Sequence, residues 1–395
     1  MKYLVLIGDG MSDLPLRELK GRTPLEVAKT PNMDFLAQNG IVGWTSNVPQ
    51  GMLPASDVAN MSIFGYDPKR FYTGRGPLEA ASLGVKLKKD EIAFRCNLVT
   101  VKGRKMKDFT AGHISTAEAG KIIRTLDKKL GSRKIHFYAG LSYRHLLVVS
   151  SRVVSNAVEC TPPHDITGKT IQAYLPKGRG AEALLRLMSE SEVLLHDMKT
   201  KASMIWPWGQ GKTPNMPSFR RKFGLKGAVI TAVHLLKGLG KTLGLEVIDV
   251  PGATGYLDTN YMGKAKYALR ALKNNNIVFV HVEAPDEAGH EGSIRKKIKA
   301  IEDFDEYVVG TVLSEIRNSK LEIRILVLPD HPTPIKVMTH TSEPVPFVIY
   351  SSKVQGPKSP VKGYNEKEIK KSKLRIKKGH RMMEMLLGKF RKYGI

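Results

Sequence analysis

Three short, mostly apolar runs lie far apart along the chain, and each leads into a polar segment that contains a carboxylate. The runs cover Tyr3–Ile7, Ile277–Val282 and Ile323–Leu328 and are rich in Val and Ile. Continuous apolar runs of this length are typical of strands that are buried on both faces of a parallel sheet. We therefore predict that the three runs are strands of one α/β sheet.

The residues that follow these runs are of the types that bind metal ions in proteins. They are Asp9 after the first run, Asp286 and His290 after the second, and Asp330, His331 and His340 after the third. Ligands bind outside the carboxyl ends of the strands in open α/β sheets, so we expect these side chains to converge at one edge. Mixed Asp and His ligands in this number suit two divalent transition metal ions such as Mn²⁺ or Zn²⁺. A single Asp after a strand is more often a helix N-cap or a turn former, but three separate strand ends carry the pattern here.

The pattern of predicted strands and helices differs between the two ends of the chain and its middle. Residues 1–85 and 196–395 alternate strand and helix patterns, which predicts one core domain that holds all three runs. Residues 86–195 are predicted to form a smaller inserted α+β domain. Its predicted strands are Ile92–Val101 and Leu146–Val154, and its predicted helices are Thr116–Leu130 and Gly180–Met198. The predicted fold class is α/β, with a mostly parallel sheet flanked by helices and this insertion.

Length and composition are those of a globular protein. The chain has 395 residues, of which 42% are hydrophobic, and its two cysteines, Cys96 and Cys160, have no CxxC partner. Two such cysteines cannot make a disulfide framework, which fits the reducing cytoplasm. The apolar run at the N-terminus is too short for a signal peptide, and no run approaches the ~20 residues of a membrane span.

The charge balance is strongly basic, with a formal net charge of +26. Residues 353–395 alone hold 14 Lys and Arg against 3 Glu. Five mostly apolar residues recur there at helical spacing, so we predict a terminal helix whose basic residues form the solvated face. They are Ile369, Ile376, His380, Met383 and Leu387. The chain has no nucleic-acid-binding motif, so non-specific attraction to polyanions, or steering of a phosphorylated substrate, is the expected effect of the charge.

One serine stands out in the Gly/Pro-rich stretch 49–76. Ser56 precedes a predicted helix start, where the positive end of the helix dipole favours a negative charge. Its hydroxyl could coordinate one metal ion, which would lower the hydroxyl pKa and create a nucleophile. The alternative is a structural role, with Ser56 as an N-cap and Asp57 in the first turn.

Taken with these features, motifs along nearly the whole chain resemble the archaeal-type branch of cofactor-independent (2,3-bisphosphoglycerate-independent) phosphoglycerate mutases, in the alkaline phosphatase superfamily. The matching stretches occur in the expected order. They are Leu6–Met11, Thr23–Leu25, Thr30–Asp34, Ser56–Asn60, Gly65–Pro68, Arg75–Ala81, Pro285–His290 and Asp330–Pro334.

The resemblance implies a role for each matching residue. Asp9, Ser56, Asp330 and His331 would bind one metal ion, and Asp286, His290 and His340 the other. Mn²⁺ is the expected ion, with Zn²⁺, Co²⁺ or Mg²⁺ as alternatives. Ser56 would carry the phosphate transiently, while the inserted domain would hold a small phosphorylated substrate over the metals. The candidate substrate-binding residues are Arg95, His113, Arg144, His145, His164, Asp165 and Lys264.

The expected activity is the interconversion of 3-phosphoglycerate and 2-phosphoglycerate in glycolysis and gluconeogenesis. Two departures from the family pattern, Ala55 and Pro332, leave the substrate open. Pro332, together with the segment 205–212, is similar to a bacterial subgroup for which a homoserine kinase activity has been suggested. The segment Gly209–Thr213 lacks the spacing of a phosphate-binding P-loop, and we interpret it as a glycine-rich turn. A third alternative, a polyanion-binding protein, rests on charge alone. The sequence indicates no oligomeric state.

Overall fold

The computed structural model describes residues 1–317, 321–353 and 359–389. The chain divides into two compact units, which we call the core unit and the inserted unit. The core unit comprises Met1–Tyr72 and Met216–Ile395, and the inserted unit comprises Thr73–Asn215.

Strands and helices are numbered in chain order over the described residues. The strands are β1 (Lys2–Gly8), β2 (Ile41–Thr45), β3 (Glu91–Lys102), β4 (Lys105–Asp108), β5 (Ile135–Leu141), β6 (Arg144–Ser150), β7 (Met204–Gly211), β8 (Gly227–Ile230), β9 (Glu246–Ile248), β10 (Ile277–Val282), β11 (Ile323–Leu328), β12 (Val345–Ser351) and β13 (Arg375–Ile376). The α-helices are α1 (Pro24–Val27), α2 (Pro31–Asn39), α3 (Ser56–Ile63), α4 (Pro68–Phe71), α5 (Gly76–Ser82), α6 (Thr116–Leu130), α7 (Ala181–Asp197), α8 (Phe219–Phe223), α9 (His234–Thr242), α10 (Tyr261–Ala271), α11 (Ala284–His290), α12 (Ile294–Asp303), α13 (Thr311–Arg317), α14 (Glu366–Ile369) and α15 (Met382–Leu386).

The sheet of the core unit is mostly parallel, and the three predicted strands are neighbours at its centre. In the described part of the chain its order is β13-β2-β12-β11-β1-β10-β8-β9. β1 pairs in parallel with β10 on one side and with β11 on the other, while β12 runs antiparallel to β11 and to β2. The prediction that the three apolar runs belong to one mostly parallel sheet is confirmed. Their carboxyl ends therefore meet at one edge.

The central strands are apolar because helices cover the sheet. Leu4, Leu6, Val278 and Val280 are fully buried and belong to one hydrophobic cluster with residues of α2, α10, α12 and α13. Burying such side chains contributes about 1.5–3 kcal/mol each before the entropy of ordering is counted. Continuous burial explains why these strands show no alternation of polar and apolar positions.

A π-helical segment, Phe304–Gly310, joins α12 to α13 and fixes the start of α2. Within it, the buried Asp305 carboxylate accepts hydrogen bonds from the backbone N–H groups of Asn32 (3.1 Å) and Met33 (2.7 Å), and from Asn32 Nδ2 (2.9 Å). These N–H groups belong to the first turn of α2, where no intrahelical acceptor exists. Asp305 therefore caps a helix that lies about 270 residues away in sequence.

The inserted unit has its own antiparallel sheet and its own core. Its strand order is β4-β3-β6-β5, and β7 also pairs with β3. The helices α6 and α7 pack their buried sides, including Ile123 and Leu184, into a hydrophobic cluster with the sheet. This arrangement is the α+β pattern predicted for the insertion.

The predicted bounds of the insertion, 86–195, are too narrow. The strand β7 lies beyond residue 195 but pairs with β3 over most of its length. The helix α5 lies before residue 86 but packs on β3 so closely that a Cβ at Gly76 would meet the Ala93 oxygen at 2.2 Å. Both elements therefore belong to the inserted unit, which begins at Thr73 and ends at Asn215.

Two other sequence interpretations are wrong. The predicted terminal helix is interrupted, because Arg375–Ile376 form an edge strand against β2, and in the described part of the chain the short helices α14 and α15 lie on either side of it. Gly209–Gly211 end β7 rather than forming a turn. Gly209 adopts φ +62°, and the register shifts beside it, as in a β-bulge.

Among the helices described, none has the length and apolar character that crossing a membrane requires.

We predict that Asp305→Ala lowers the free energy of unfolding by about 1–2 kcal/mol, because the first turn of α2 loses its acceptors. Urea unfolding followed by circular dichroism measures the change. Glu306→Ala is the matched control, since Glu306 is exposed in the same segment and its removal is expected to change stability by less than about 0.5 kcal/mol. Equal stability of the two variants would contradict the capping role.

Candidate metal centre

The carboxyl edge of the central sheet gathers the predicted ligands within the core unit. Asp9 follows β1, and Asp330 and His331 follow β11. Asp286 and His290 lie on α11, which begins two residues after β10. Parallel pairing sets Ile7 beside both His281 and Leu328, so the three strands end at the same level.

One group of ligands consists of Asp286, His290 and His340, whose candidate ligand atoms lie within 4.8 Å of one another. His290 Nε2 is 3.2 Å from Asp286 Oδ2, and His340 Nε2 is 3.4 Å from Asp286 Oδ1. His290 Nδ1 lies 3.1 Å from the Met338 carbonyl oxygen, which can only accept a hydrogen bond. Nδ1 therefore carries the proton, and in the neutral ring Nε2 is left to bind a cation.

A second group surrounds Asp9 and Asp330. His331 Nε2 lies 3.6 Å from Asp9 Oδ1 and 3.5 Å from Asp330 Oδ2. His281 Nε2 lies 3.4 Å from Asp9 Oδ2 and 3.9 Å from Asp330 Oδ2. The two groups are contiguous, because Asp9, Asp286 and His331 also have ligand atoms within 4.8 Å of one another.

Ser56 is the first residue of α3, and its Oγ lies 3.2 Å from His331 Nε2. The N-cap position belongs to Ala55, so the alternative interpretation of Ser56 as the N-cap is wrong. Asn60, one turn further along α3, donates from Nδ2 to the Ser56 carbonyl at 2.9 Å and to Asp330 Oδ2 at 2.8 Å. The same helix therefore positions Ser56 and one carboxylate of the cluster.

Burial and mutual proximity shift the pKa values of the cluster in opposite directions. Burial, together with the charges of Asp330 and Asp286, holds the pKa of Asp9 well above its ordinary value. Burial also opposes ionisation of Asp286, but hydrogen bonds with His290 and His340 hold its pKa well below the ordinary value. Burial lowers the pKa of His331 to about 4, so this ring is neutral at pH 7.

The donor set fits divalent metal ions. Three carboxylates and four imidazoles lie in one cluster, in which only His290 and His340 are partly exposed. Several carboxylates close together in a low dielectric repel one another unless a cation lies between them. Among the described residues, Asp9 Oδ1 and both ring nitrogens of His281 are buried without a hydrogen-bond partner. A buried polar atom without a partner lowers the free energy of unfolding by about 1–3 kcal/mol if nothing compensates it. Mixed carboxylate and imidazole donors are those of Mn²⁺ and Zn²⁺ centres.

Lys264 lies inside the core unit, next to Glu283. It is fully buried, and its Nζ donates to Glu283 Oε2 at 2.6 Å and to the His281 carbonyl at 2.9 Å. The predicted role of Lys264 in binding the substrate stays a prediction, and in the structure its ammonium group is held inside the core unit. Its observed contacts fix Glu283, the residue that follows β10.

A second buried lysine joins two of the loops that carry ligands. Lys297 Nζ donates to Asp13 Oδ2 (2.7 Å), Ser12 O (3.2 Å) and Thr333 O (2.7 Å). Thr333 Oγ1 in turn donates to Asp286 Oδ1. The Lys297–Asp13 pair therefore holds the loop after β1 against the loop after β11.

Sequence reasoning missed His281, Glu283, Asn60, Thr333 and Lys297. A lone histidine inside an otherwise apolar strand was the available signal for His281, and a carboxylate directly after that strand was the signal for Glu283. Asn60, Thr333 and Lys297 lie on helices or loops whose spacing gives no such signal. Only their contacts show what they do.

The predicted substrate-binding residues of the inserted unit fall into two sets. Arg95 and His164 both contact Trp208, with the Arg95 guanidinium 5.0 Å from its ring and the His164 ring centroid 5.2 Å away. Arg75 also lies over Trp208, at 5.4 Å, and the charge of Arg144 is close enough to lower the pKa of Arg95, which burial brings to about 10.

The remaining candidates of the inserted unit differ in exposure. His145 is buried, and burial with the nearby Arg95 charge lowers its pKa to about 3, so it is neutral at pH 7. His113 and Asp165 are exposed. His113 ends a run of three left-handed residues, with φ values of +52°, +69° and +52° for Ala111, Gly112 and His113. Such backbone is rare outside glycine and clusters at functional sites.

The sheet and the residues at its edge define an α/β protein with a cluster of carboxylates and histidines that could hold metal ions. A family model described as 2,3-bisphosphoglycerate-independent phosphoglycerate mutase matches residues 37–200. A curated relative of that name from Methanosarcina acetivorans is 52% identical, covering 98% of this chain and all of the relative. One from Geobacter sulfurreducens, named as probable, is 49% identical over 98% of this chain and all of the relative.

Solved structures agree with these sequence comparisons. A protein of Pyrococcus horikoshii has a TM-score of 0.81 at 31% identity, covering 100% of this chain and 99% of its own. A cofactor-independent phosphoglycerate mutase from Thermoplasma acidophilum has a TM-score of 0.67 at 27% identity, covering 98% and 99%. The chain belongs to the family of 2,3-bisphosphoglycerate-independent phosphoglycerate mutases, which confirms the resemblance seen in the sequence.

We predict that Lys297→Met weakens binding of Mn²⁺ by about 10–100-fold, because the loops that carry Asp9 and Asp330 lose their shared clamp. Equilibrium dialysis of the purified variant measures the dissociation constant. Lys299→Met, on the same helix but with a side chain that is 59% exposed, is the control and is expected to bind Mn²⁺ as the unchanged protein does. Unaltered affinity in Lys297→Met, in a folded protein, would contradict the clamp.

Proposed function

We propose that this protein interconverts 3-phosphoglycerate and 2-phosphoglycerate through a phosphoserine on Ser56, at a centre that holds two divalent metal ions. The observation that carries the proposal is the position of Ser56. Its Oγ lies at the N-terminus of α3 and 3.2 Å from His331 Nε2, beside the carboxylate and histidine cluster. Ser56, Asp9, Asp330 and His331 would hold one ion, and Asp286, His290 and His340 the other.

The chemistry consists of two phosphoryl transfers in opposite directions. Ser56 Oγ attacks the phosphorus of 3-phosphoglycerate, the bond from phosphorus to O3 breaks, and the proton of the serine hydroxyl passes to O3 of the glycerate, which stays bound. After glycerate reorients, its O2 attacks the phosphoserine and Ser56 regains its proton. Bound ions supply positive charge that stabilises the negative charge developing in each transfer. The eight-residue helix α3 points its positive end at the same oxygen.

The choice of substrate rests on the inserted unit. Arg75, Arg95 and His164 surround Trp208, and Arg144 contributes charge nearby. Glu79 offsets one of these charges, because its Oε1 lies 3.3 Å from Arg95 Nη1. Arginine side chains bind carboxylate and phosphate with two parallel hydrogen bonds. A cationic group of this kind suits a phosphorylated carboxylic acid, which is negative at both ends. Homoserine carries an ammonium group and would need a carboxylate partner such as the exposed Asp165.

A coupled assay tests the proposal directly. Purified protein with Mn²⁺ is offered 3-phosphoglycerate without bisphosphoglycerate or ATP, and formation of 2-phosphoglycerate is followed through enolase. A parallel reaction offers ATP with homoserine. Isomerisation in the first reaction supports the mutase. Phosphorylation of homoserine together with no isomerisation would replace the proposal with the kinase.

We predict that Ser56→Ala lowers isomerisation by at least about 1,000-fold, because the nucleophile is lost, while the fold is retained. Mass spectrometry of the unchanged protein after rapid quenching with substrate should find phosphate on Ser56. Ser62→Ala is the control, since Ser62 is a buried serine of the same helix whose Oγ donates to the Asn47 carbonyl. Full mutase activity in Ser56→Ala would exclude the phosphoserine route.

We expect removal of metal ions to abolish isomerisation and to lower thermal stability together. Because ions bind the folded state alone, Mn²⁺ at 100 times its dissociation constant should stabilise the protein by about 2.7 kcal/mol. Activity and unfolding are measured after treatment with a chelator, and again after Mn²⁺ is added back. Activity that survives complete removal of metal, checked by elemental analysis, would contradict the proposed centre.

A further inference from the structure

His281 has a place in the metal centre that neither the sequence motifs nor the resemblance assigns. It lies inside β10, one residue before the strand ends, and its side chain is fully buried. Its Nε2 faces Asp9 Oδ2 at 3.4 Å and Asp330 Oδ2 at 3.9 Å. We propose that His281 Nε2 is a further ligand of the ion that Asp9 and Asp330 hold.

The other ring nitrogen of His281 faces a carboxylate that is itself firmly held. His281 Nδ1 lies 3.3 Å from Glu283 Oε1. Glu283 accepts hydrogen bonds from Lys264 Nζ (2.6 Å), Thr231 Oγ1 (2.9 Å) and the Ala232 N–H (2.8 Å). Histidines that bind metal ions almost always present their second nitrogen to a carboxylate or carbonyl, which fixes the ring and its tautomer. Glu283, held in place by Lys264, is the carboxylate that Nδ1 faces here.

The alternative role for His281 is a charged donor that hydrogen-bonds to Asp9 and Asp330. Hydrogen bonds between an imidazolium and a carboxylate are about 2.7–2.9 Å long. The observed separations from Nε2 are 3.4 Å and 3.9 Å, and among the described residues Nε2 has no hydrogen-bond partner. Atoms that surround a common ion without bonding one another are separated in this way, whereas a donor and its acceptor lie closer.

His331, which the family resemblance assigns to the same ion, lies at similar distances from the carboxylates of Asp9 and Asp330. Its Nε2 is 3.6 Å from Asp9 and 3.5 Å from Asp330. The ion would then have Asp9, Asp330, His281, His331 and Ser56 around it. Five protein donors favour an ion that accepts five or six ligands, such as Mn²⁺, over Zn²⁺, which is mostly four-coordinate in proteins.

This inference rests on the proposed metal centre, and its test separates the two. Crystals of the full chain loaded with Mn²⁺ are measured at the anomalous edge of manganese, which locates the ions. Equilibrium dialysis with Mn²⁺ compares the unchanged protein with His281→Gln. Glutamine keeps an amide N–H that can donate to Asp9 but has no imidazole nitrogen. His234→Gln, an exposed histidine at the start of α9, is the matched control.

We expect His281 Nε2 at bonding distance from the ion between Asp9 and Asp330. We also expect the dissociation constant for this ion to be more than about 100-fold higher in His281→Gln than in the unchanged protein. Loss of a residue that only supports a ligand typically changes metal affinity by about 10–100-fold. Circular dichroism of the metal-free variant confirms that it folds. An Nε2 that donates to the carboxylates without contacting the ion overturns the inference. So does affinity within about twofold of the control. In both cases Mn²⁺ binding and isomerisation by the unchanged protein leave the proposed function standing. Their absence from the unchanged protein overturns the proposed function instead.

Discussion

The parallel pairing of β1 with both β10 and β11 is the constraint on which the metal centre depends. Backbone hydrogen bonds fix Ile7 beside His281 on one side and beside Leu328 on the other. A slip of one residue in either pairing would turn every side chain of that strand to the opposite face. The fully buried apolar side chains of the three strands prevent such a slip, so the positions of Asp9, Glu283 and Asp330 follow from core packing.

Buried charge is the cost of this arrangement, and the surrounding residues offset it in two ways. Two buried lysines, Lys264 and Lys297, each neutralise one carboxylate that stands behind the ligands, Glu283 and Asp13. Asn60 and Thr333 donate hydrogen bonds to Asp330 and Asp286 without adding charge. Neither lysine contacts Asp9, Asp286 or Asp330, so these three carboxylates are not neutralised by a lysine and stay available to a divalent cation.

The elements that the sequence predicted well are those with a strong local signal. β10 and β11 begin and end at the predicted residues, because continuous apolar runs flanked by polar residues mark a buried strand clearly. Residues around Asp9, Asp286 and Asp330 were found because each follows such a run. β7 was assigned to the wrong domain since its partner, β3, lies more than 100 residues away. The buried Lys264–Glu283 pair was not predicted for a related reason, because one sequence cannot show which lysines turn inward to meet a buried glutamate.

The position of the inserted unit within the chain also sets the order in which the protein can fold. β1 is made first, yet its two sheet neighbours begin only at Ile277 and Ile323. At a synthesis rate of about 5–20 residues per second, roughly 15–55 s pass between the synthesis of β1 and that of β10. The inserted unit is one uninterrupted stretch, so it can fold on the ribosome during that time. β1 therefore stays unpaired for longer during synthesis than β3, whose partner β7 begins at Met204.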